Sequence, residues 1–240
     1  MYKETIGIVG GFGGFATADF FRRLLETFFT GYERDYPRIV MDNDFTMPSR
    51  TRGLLYDEQI EQITEMMAAS VKNLISIGAD RIVLPCGTAH WYLDGVYRIV
   101  PEAKGIIVDI VDATGEKLMN CGVKSCYVVA AEGTLKKKLY NQRFAKYSVE
   151  VSSPSEEDWP RVRYFIEATK QNRITSDIKK EFIDFILNHT RGVQPSSDGK
   201  VHVILGCTEL PLLVDEDARE KIAFEDPLDN ALTYLKENLR

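Results

Sequence analysis

Short apolar runs alternate with longer helix-like segments along the whole chain, and this alternation restricts the fold more than any other feature. The runs typical of strands lie at 5–11, 38–44, 80–86, 105–111, 124–134, 147–154 and 201–207. Helices are predicted near 17–29, 55–78, 134–146, 158–170, 176–190 and 226–239, and Gly78 provides a stop for the second of them. Strands separated by helices favour right-handed βαβ units and parallel sheets covered by helices on both faces.

A weak internal repeat divides the chain into two similar halves. Gly13 and Gly133, each after a strand-like run, are 120 residues apart (133 − 13), and Cys86 and Cys207 are 121 apart (207 − 86). Both separations are close to half of the 240 residues. We therefore hypothesise a tandem pair of similar α/β halves that face each other. The division we predict, which the repeat alone does not determine, is a first domain of residues 1–113 and 212–240 and a second of residues 114–211.

Composition excludes several classes of partner and location. The net charge of −6 argues against nucleic-acid binding, which requires a basic face. No apolar run reaches the roughly 18 residues that span a bilayer, so no membrane partner is expected. The apolar start is too short for a signal peptide, and four cysteines without a secretory segment are typical of free thiols in the cytoplasm.

Cys86 and Cys207 each follow a predicted strand at the edge where open α/β sheets bind ligands. A helix start at these positions would favour a thiolate, and a thiol with a pKa near the working pH is an effective proton donor or acceptor. If the halves face each other, two such thiols can invert a stereocentre by removing a proton on one side and returning one on the other. The alternative is that each cysteine is simply a small buried apolar residue, which is the better interpretation for Cys126 inside a strand.

Metal binding and a disulfide are both disfavoured. Cys86 and His90 are four residues apart and could share a helical face, but the chain has no CxxC pair and no second histidine spacing that suits zinc. A disulfide between Cys86 and Cys207 does not suit a reducing compartment. No metal is therefore predicted.

Five motifs in order resemble those of the aspartate/glutamate racemase family over nearly the whole chain. They are IGIVGGFGGFAT, NDFTMPSRT, PCGTAH, AAEGT and LGCTELPLL. The resemblance implies two pseudo-symmetric α/β domains with the active site in the cleft between them, and cofactor-independent racemisation of aspartate or glutamate. It also implies a homodimer whose ligand is a small acidic amino acid.

The resemblance further implies roles for individual residues. Cys86 and Cys207 correspond to the family's two-base pair, Arg50 to a carboxylate-binding arginine, and Lys170 to a lysine for the second carboxylate. The other expected substrate contacts are Gly11, Phe12, Gly87, Thr88, Thr134 and Thr208. Gly87 stands where the family usually has asparagine. His90 and Glu209 adjoin the cysteine motifs, where they either tune the site or serve packing and helix capping.

Two other functions fit parts of the sequence. The segment Gly11-Phe12-Gly13-Gly14-Phe15-Ala16 fits the G-x-G-x-x-A fingerprint of NAD-dependent oxidoreductases, and Asp42 or Asp44 ends the next strand. That interpretation leaves the paired cysteines and the half-chain repeat unexplained. The second alternative is a protein that binds an acidic metabolite on the same scaffold without converting it, and Gly87 is the residue that favours it.

Overall fold

The computed structural model describes residues 2–240 and contains two four-stranded, entirely parallel sheets. The first consists of β1 (Ile6–Val9), β2 (Ile39–Asp42), β3 (Arg81–Val83) and β4 (Ile107–Val108). The second consists of β5 (Ser125–Val129), β6 (Glu150–Ser152), β7 (Val201–Leu205) and β8 (Ile222–Glu225). The spatial orders are β2-β1-β3-β4 and β6-β5-β7-β8, so the two halves repeat one topology. The predicted fold class is confirmed.

Eleven α-helices within residues 2–240 cover the sheets. They are α1 (Gly14–Phe28), α2 (Arg50–Tyr56), α3 (Ile60–Ser76), α4 (Leu93–Ile99), α5 (Ile110–Asn120), α6 (Glu132–Lys136), α7 (Leu139–Phe144), α8 (Trp159–Lys170), α9 (Ser176–His189), α10 (Glu216–Lys221) and α11 (Pro227–Asn238). In α3 the apolar spacing buries one face, and the helix stops at Ser76, just before Gly78, whose φ of +92° makes it the helix stop that the sequence predicts. Among the described residues, none of these helices has both the length and the apolar character needed to cross a membrane.

The apolar core has three parts, and the middle one belongs to both halves. Ile8 of β1 and Leu24 of α1 share it with Val128 of β5, Phe144 of α7 and Leu232 of α11. The two outer cores each lie on the far side of one sheet, under α3 and α4 in the first half and under α8 and α9 in the second. Because the central core is continuous, the halves are held together by buried apolar surface.

Several predicted elements differ from the observed ones for local reasons. The run at 105–111 contains only the two-residue strand β4, because the Asp109 side chain accepts hydrogen bonds from the N–H groups of Val111 and Asp112 and starts α5. The predicted helix at 134–146 is interrupted at Lys138, which has φ +50°. The segment 55–78 is divided between α2 and α3 by left-handed residues at Asp57 and Gln59.

Strand β8 has no counterpart among the predicted strands. It pairs with β7 in the second sheet, although the predicted division assigns residues 212–240 to the first domain. Helix α11 then returns to pack against α1 and α5 of the first half. The domain boundaries themselves stay a prediction.

A polar network centred on the buried Glu225 joins the half-exposed Lys117 of α5 to the second sheet. Glu225 at the end of β8 accepts a hydrogen bond from Lys117 Nζ at 2.8 Å and lies 3.0 Å from Nδ1 of His202. The same ammonium group donates to Asn230 Oδ1 at 3.0 Å. Burial alone would raise the pKa of Glu225, but the hydrogen bonds from His202 and Lys117 outweigh burial and lower it.

We expect this carboxylate to make the fold sensitive to acid. Because its folded-state pKa lies below the unfolded value of about 4.3, it contributes stability above that pH which is lost as the pH falls through the folded-state pKa. Glu225→Gln should reduce the free energy of unfolding by about 1–3 kcal/mol at pH 7. In the variant, the free energy of unfolding should also fall less steeply as the pH decreases. Urea unfolding at several pH values measures both effects. Glu65→Gln, at an exposed position on α3, is the control and should change neither.

Candidate functional site

The two predicted catalytic cysteines follow equivalent strands of the two sheets. Cys86 comes three residues after β3 and Cys207 two residues after β7, and both side chains are partly accessible. Short 3₁₀ helices follow, at Gly87–Tyr92 and at Leu210–Leu213. Both thiols therefore lie at carboxyl ends of parallel strands, the edge at which such sheets bind ligands.

The turns that carry these cysteines are in direct contact. A Cβ atom added to Gly87 would lie only 2.5 Å from the carbonyl oxygen of Gly206, the residue before Cys207. No side chain fits there without separation of the two turns, since the obstacle is backbone. The glycine at 87 thus allows a close approach between the halves that asparagine would prevent.

A second contact between the halves lies beside the first. The hydroxyl groups of Thr88 and Thr134 are 2.8 Å apart and buried. A Cβ on Gly133 would lie 2.6 Å from the carbonyl oxygen of Thr51, so this glycine lets α6 pack closely against α2. The structure brings Thr88 and Thr134 together across the halves, and their role as substrate contacts stays a prediction.

His90 fixes the backbone of the Cys86 turn. Its Nδ1 lies 3.0 Å from the carbonyl oxygen of Cys86, and its Nε2 accepts a hydrogen bond from the Ile110 N–H at 3.3 Å. These two bonds require a neutral ring with the proton on Nδ1. The fully buried histidine therefore ties the Cys86 turn to the start of α5, and it directs no nitrogen at the thiol.

Cys207 has a different and charged environment. Its thiol donates a hydrogen bond to Oε2 of the buried Glu209 at 2.9 Å, and Thr208 Oγ1 donates to the same oxygen at 3.3 Å. Burial raises the pKa of the Cys207 thiol well above its ordinary value, the Glu209 carboxylate raises it further, and Lys170 opposes this rise. The charge of Cys86 also raises the pKa of Cys207, by less than the other groups.

Glu209 also connects the Cys207 turn to the glycine-rich turn of the first half. Its Oε1 lies 3.3 Å from the position that a Cβ atom on Gly13 would occupy. Gly13 is the N-cap of α1, a position that provides no side-chain hydrogen bond to the helix. The helix dipole favours a negative charge at this point, so Glu209 occupies the place where a dinucleotide-binding fold would receive its pyrophosphate.

Lys170 lies on the Cys207 side of the site. Burial lowers the pKa of its ammonium group, but the charges of Cys207, Glu209 and Glu167 raise it by more, so that the net pKa is raised. Lys170 also lines a cavity of about 260 Å³ between α2 and α8, together with Arg52, Glu132 and Arg163. Lys170 therefore connects this cavity to the charges around Cys207, although Cys207 itself does not line the cavity.

Arg50, the first residue of α2, is held by hydrogen bonds against the glycine-rich turn that follows β1. It donates to the carbonyl oxygens of Phe12 at 2.7 Å and Pro48 at 3.1 Å, and its guanidinium carbon lies 4.9 Å from the centre of the Phe12 ring. Its buried Nε has no hydrogen-bond partner within residues 2–240. Gly11 has φ +83°, and its N–H donates to Asn43 at 2.7 Å, so this N–H is already occupied.

The sequence does not predict the contacts between the halves, and the roles predicted for the two thiols and for Lys170 stay predictions. Cys207, Lys170 and Thr208 are brought together around Glu209, whereas Arg50 and Phe12 form a separate group at the glycine-rich turn. The contact of Glu209 with Cys207 and the Gly87–Gly206 junction carry no periodic signal in the sequence. Among residues 2–240, no group of three or more histidine, cysteine or acidic side chains is arranged to hold a metal ion.

Comparison with known proteins identifies relatives over nearly the whole length. The model of the family described as Asp/Glu/Hydantoin racemase matches residues 9–234. The aspartate racemase of Picrophilus torridus is 26% identical, with a TM-score of 0.78 over 99% of this chain and 96% of that one. An aspartate racemase homologue from Pyrococcus horikoshii is 22% identical, with a TM-score of 0.76 over 98% of each chain. A Francisella tularensis glutamate racemase in complex with D-glutamate is 18% identical, with a TM-score of 0.68 over 98% of this chain and 80% of that one.

The Gly87 junction makes a prediction about stability. Gly87→Ala should lower the free energy of unfolding by about 1–3 kcal/mol, because the added methyl group meets backbone and forces the cysteine turns apart. Gly192→Ala is the control, since a Cβ there meets no atom within 4 Å. Urea unfolding of both variants measures the difference, and equal stabilities would contradict the close contact.

The carboxylate of Glu209 makes a prediction about thiol reactivity. Glu209→Gln keeps the side-chain shape but removes the charge that raises the pKa of Cys207, so more thiolate forms at a given pH. We expect Cys207 to be alkylated by iodoacetamide several-fold to roughly tenfold faster at pH 8. Mass spectrometry of the peptide that contains Cys207 measures the rate. The exposed Cys121 in the same protein is the internal control, and its rate should not change.

Proposed function

The chain belongs to the Asp/Glu/hydantoin racemase family, and from that premise we propose that it interconverts the enantiomers of an acidic amino acid by proton transfer between Cys86 and Cys207. One cysteine, as thiolate, removes the α-proton from the substrate. The other, as thiol, donates its own proton to the opposite face of the same carbon. The first cysteine ends as a thiol and the second as a thiolate, so the reaction needs no redox partner.

One observation carries this proposal: two partly accessible thiols at equivalent strand ends, on turns that touch each other. A pair of cysteines that served only packing would need neither accessibility nor this symmetric placement. Their unequal environments also suit opposite roles. The Cys207 proton, held by a hydrogen bond to Glu209, suits a donor, and Cys86 then acts as the acceptor in that direction.

The charges around the thiols support an acidic substrate. Lys170 lies on the Cys207 side and can attract one carboxylate as a point charge. Arg50 retains an unpaired, buried Nε–H beside the Phe12 turn, which is suited to a carboxylate oxygen. Cations that hold the α-carboxylate also stabilise the negative charge that develops when the α-proton leaves.

The remaining parts of the proposal follow from the family and from composition. We propose that the reaction requires no cofactor, that the protein acts in the cytoplasm and that it forms a homodimer. The NAD-dependent alternative is disfavoured because the carboxylate of Glu209 lies at the start of α1, where a bound pyrophosphate would meet a negative charge.

Hydrogen exchange at the substrate α-carbon tests the function directly. The protein is incubated in D2O with single enantiomers of aspartate and of glutamate, and NMR and chiral chromatography follow deuterium incorporation and inversion. We expect both to appear together for one of the two amino acids. Binding without exchange would identify a non-catalytic binder of acidic metabolites, and the absence of exchange from the folded protein would refute the proposal.

Removal of either thiol should abolish inversion. Cys86→Ala and Cys207→Ala are each expected to reduce kcat for racemisation by at least about 10²–10⁴-fold, because each removes one of the two proton-transfer groups. Cys121→Ala, at an exposed position, should retain the original rate. Normal racemisation by either active-site variant would contradict the paired mechanism.

A further inference from the structure

The hydroxyl group of Tyr140 is buried and lacks a partner at the centre of the molecule. Tyr140 lies on α7 with 1% of its surface exposed, and its ring packs edge-on against Phe144. Among the described residues, no atom forms a hydrogen bond with its Oη. A buried hydroxyl without a partner is costly, so its retention requires an explanation outside ordinary packing.

This hydroxyl lies between the two cysteine turns. Its oxygen is 3.3 Å from the position of a Cβ atom on Gly87 and 3.2 Å from that of a Cβ on Gly206. Gly87 follows Cys86 directly, and Gly206 precedes Cys207 directly. Oη therefore points into the junction where the two turns meet, a position reached only because both residues lack side chains.

The charges that act on Tyr140 limit the groups that can accept a hydrogen bond from its hydroxyl. Burial raises the pKa of its phenol well above the ordinary value, and the charges of Cys207, Asp109, Asp226 and Cys86 raise it further, so the group stays neutral. Asp109 is already paired with Arg143 at 3.3 Å, and Asp226 with Arg23 at 2.6 Å. Among the described residues neither cysteine sulfur has an arginine paired with it in this way, which leaves the thiolates as the acceptors to consider.

We propose that Tyr140 donates a hydrogen bond to the thiolate form of the cysteine pair, and to that of Cys207 in particular. As the structure has it, Cys207 is a thiol whose proton is directed to Glu209. Once that proton has left, the negatively charged sulfur faces the negatively charged Glu209 and lacks a hydrogen-bond donor. The neutral phenol supplies one and keeps its own proton throughout.

This inference rests on the proposed function only for its role in turnover, since the hydrogen bond itself concerns the free protein. The other groups that act on Cys207 are the Glu209 carboxylate, which opposes the thiolate, and the Lys170 ammonium group, which favours it. Tyr140 adds an uncharged hydrogen-bond donor close to both cysteine turns.

Two other buried tyrosines provide a comparison within the chain. The hydroxyl of Tyr92 donates to the carbonyl oxygen of Arg50 at 2.9 Å and so has a partner. Tyr127 on β5 resembles Tyr140, because its hydroxyl is buried and unpartnered and burial raises its pKa. It lies in the outer core of the second half, and neither thiol contributes to its pKa shift. Tyr127→Phe is therefore a matched control for Tyr140→Phe.

The experiment measures alkylation of each thiol by iodoacetamide between pH 6 and 10 in the wild-type protein and both Phe variants. Mass spectrometry of the separate peptides follows Cys86 and Cys207. In Tyr140→Phe we expect the alkylation midpoint of Cys207 to move to higher pH and its rate at pH 8 to fall roughly three- to tenfold. Tyr127→Phe should change neither the alkylation midpoint of Cys207 nor its rate at pH 8.

Two further measurements separate this role from a structural one. The thermal midpoint of Tyr140→Phe should equal or exceed that of the wild type, because an unpaired buried hydroxyl is removed, and kcat for racemisation should fall roughly 10- to 100-fold. An unmoved alkylation profile, or a marked loss of stability, would overturn the assignment. If the wild type shows no racemisation but the alkylation shift appears, the proposed function fails and this inference stands.

Discussion

The close contact of two glycine-containing turns is the constraint on which the site depends. Gly87 and Gly206 bring the ends of β3 and β7 together, because the carbonyl oxygen of Gly206 occupies the space that a side chain on Gly87 would need. Gly133 likewise allows a close approach to the carbonyl oxygen of Thr51, and Gly13 allows one to the carboxylate of Glu209. The continuous central core holds the sheets in this arrangement, so apolar burial and missing side chains act together to place two thiols at one junction.

This junction also determines the electrostatics of the thiols. Gly87, Thr88 and Gly206 are buried where the turns touch, so charges at this point act through a medium of lower polarity than bulk water and have a stronger effect. Glu209 and Lys170 act in opposite directions on Cys207, and the Tyr140 hydroxyl lies close to both turns. Burial alone would make Cys207 inert. Under the proposed function, the side chains around it control when its proton is held and when it is released.

The sequence predicts the features that depend on neighbours along the chain. The parallel sheets, the glycine stop after α3 and the strand-end positions of both cysteines follow from periodicity and turn residues. The capping carboxylate of Asp109, which shortens β4, and the left-handed Lys138, which interrupts the predicted helix at 134–146, depend on a single residue each and have no periodic signal. The contacts of Glu209, His90 and Tyr140 join segments from different parts of the fold, and only coordinates reveal them.

The two halves share a topology, but they surround their cysteines differently, and this matters for a racemase. His90 holds the backbone carbonyl of Cys86, whereas Glu209 holds the thiol proton of Cys207. An enzyme cannot change the equilibrium between enantiomers, which are equal in free energy. Under the proposed function, unequal thiols therefore determine which protonation state the free enzyme prefers, and hence which enantiomer it binds in a productive form more often. The reverse direction requires the less favoured state, in which Cys207 is the thiolate beside Glu209. A neutral donor such as Tyr140 reduces the free-energy difference between the two states, because it stabilises the thiolate without adding a charge that would also bind the substrate.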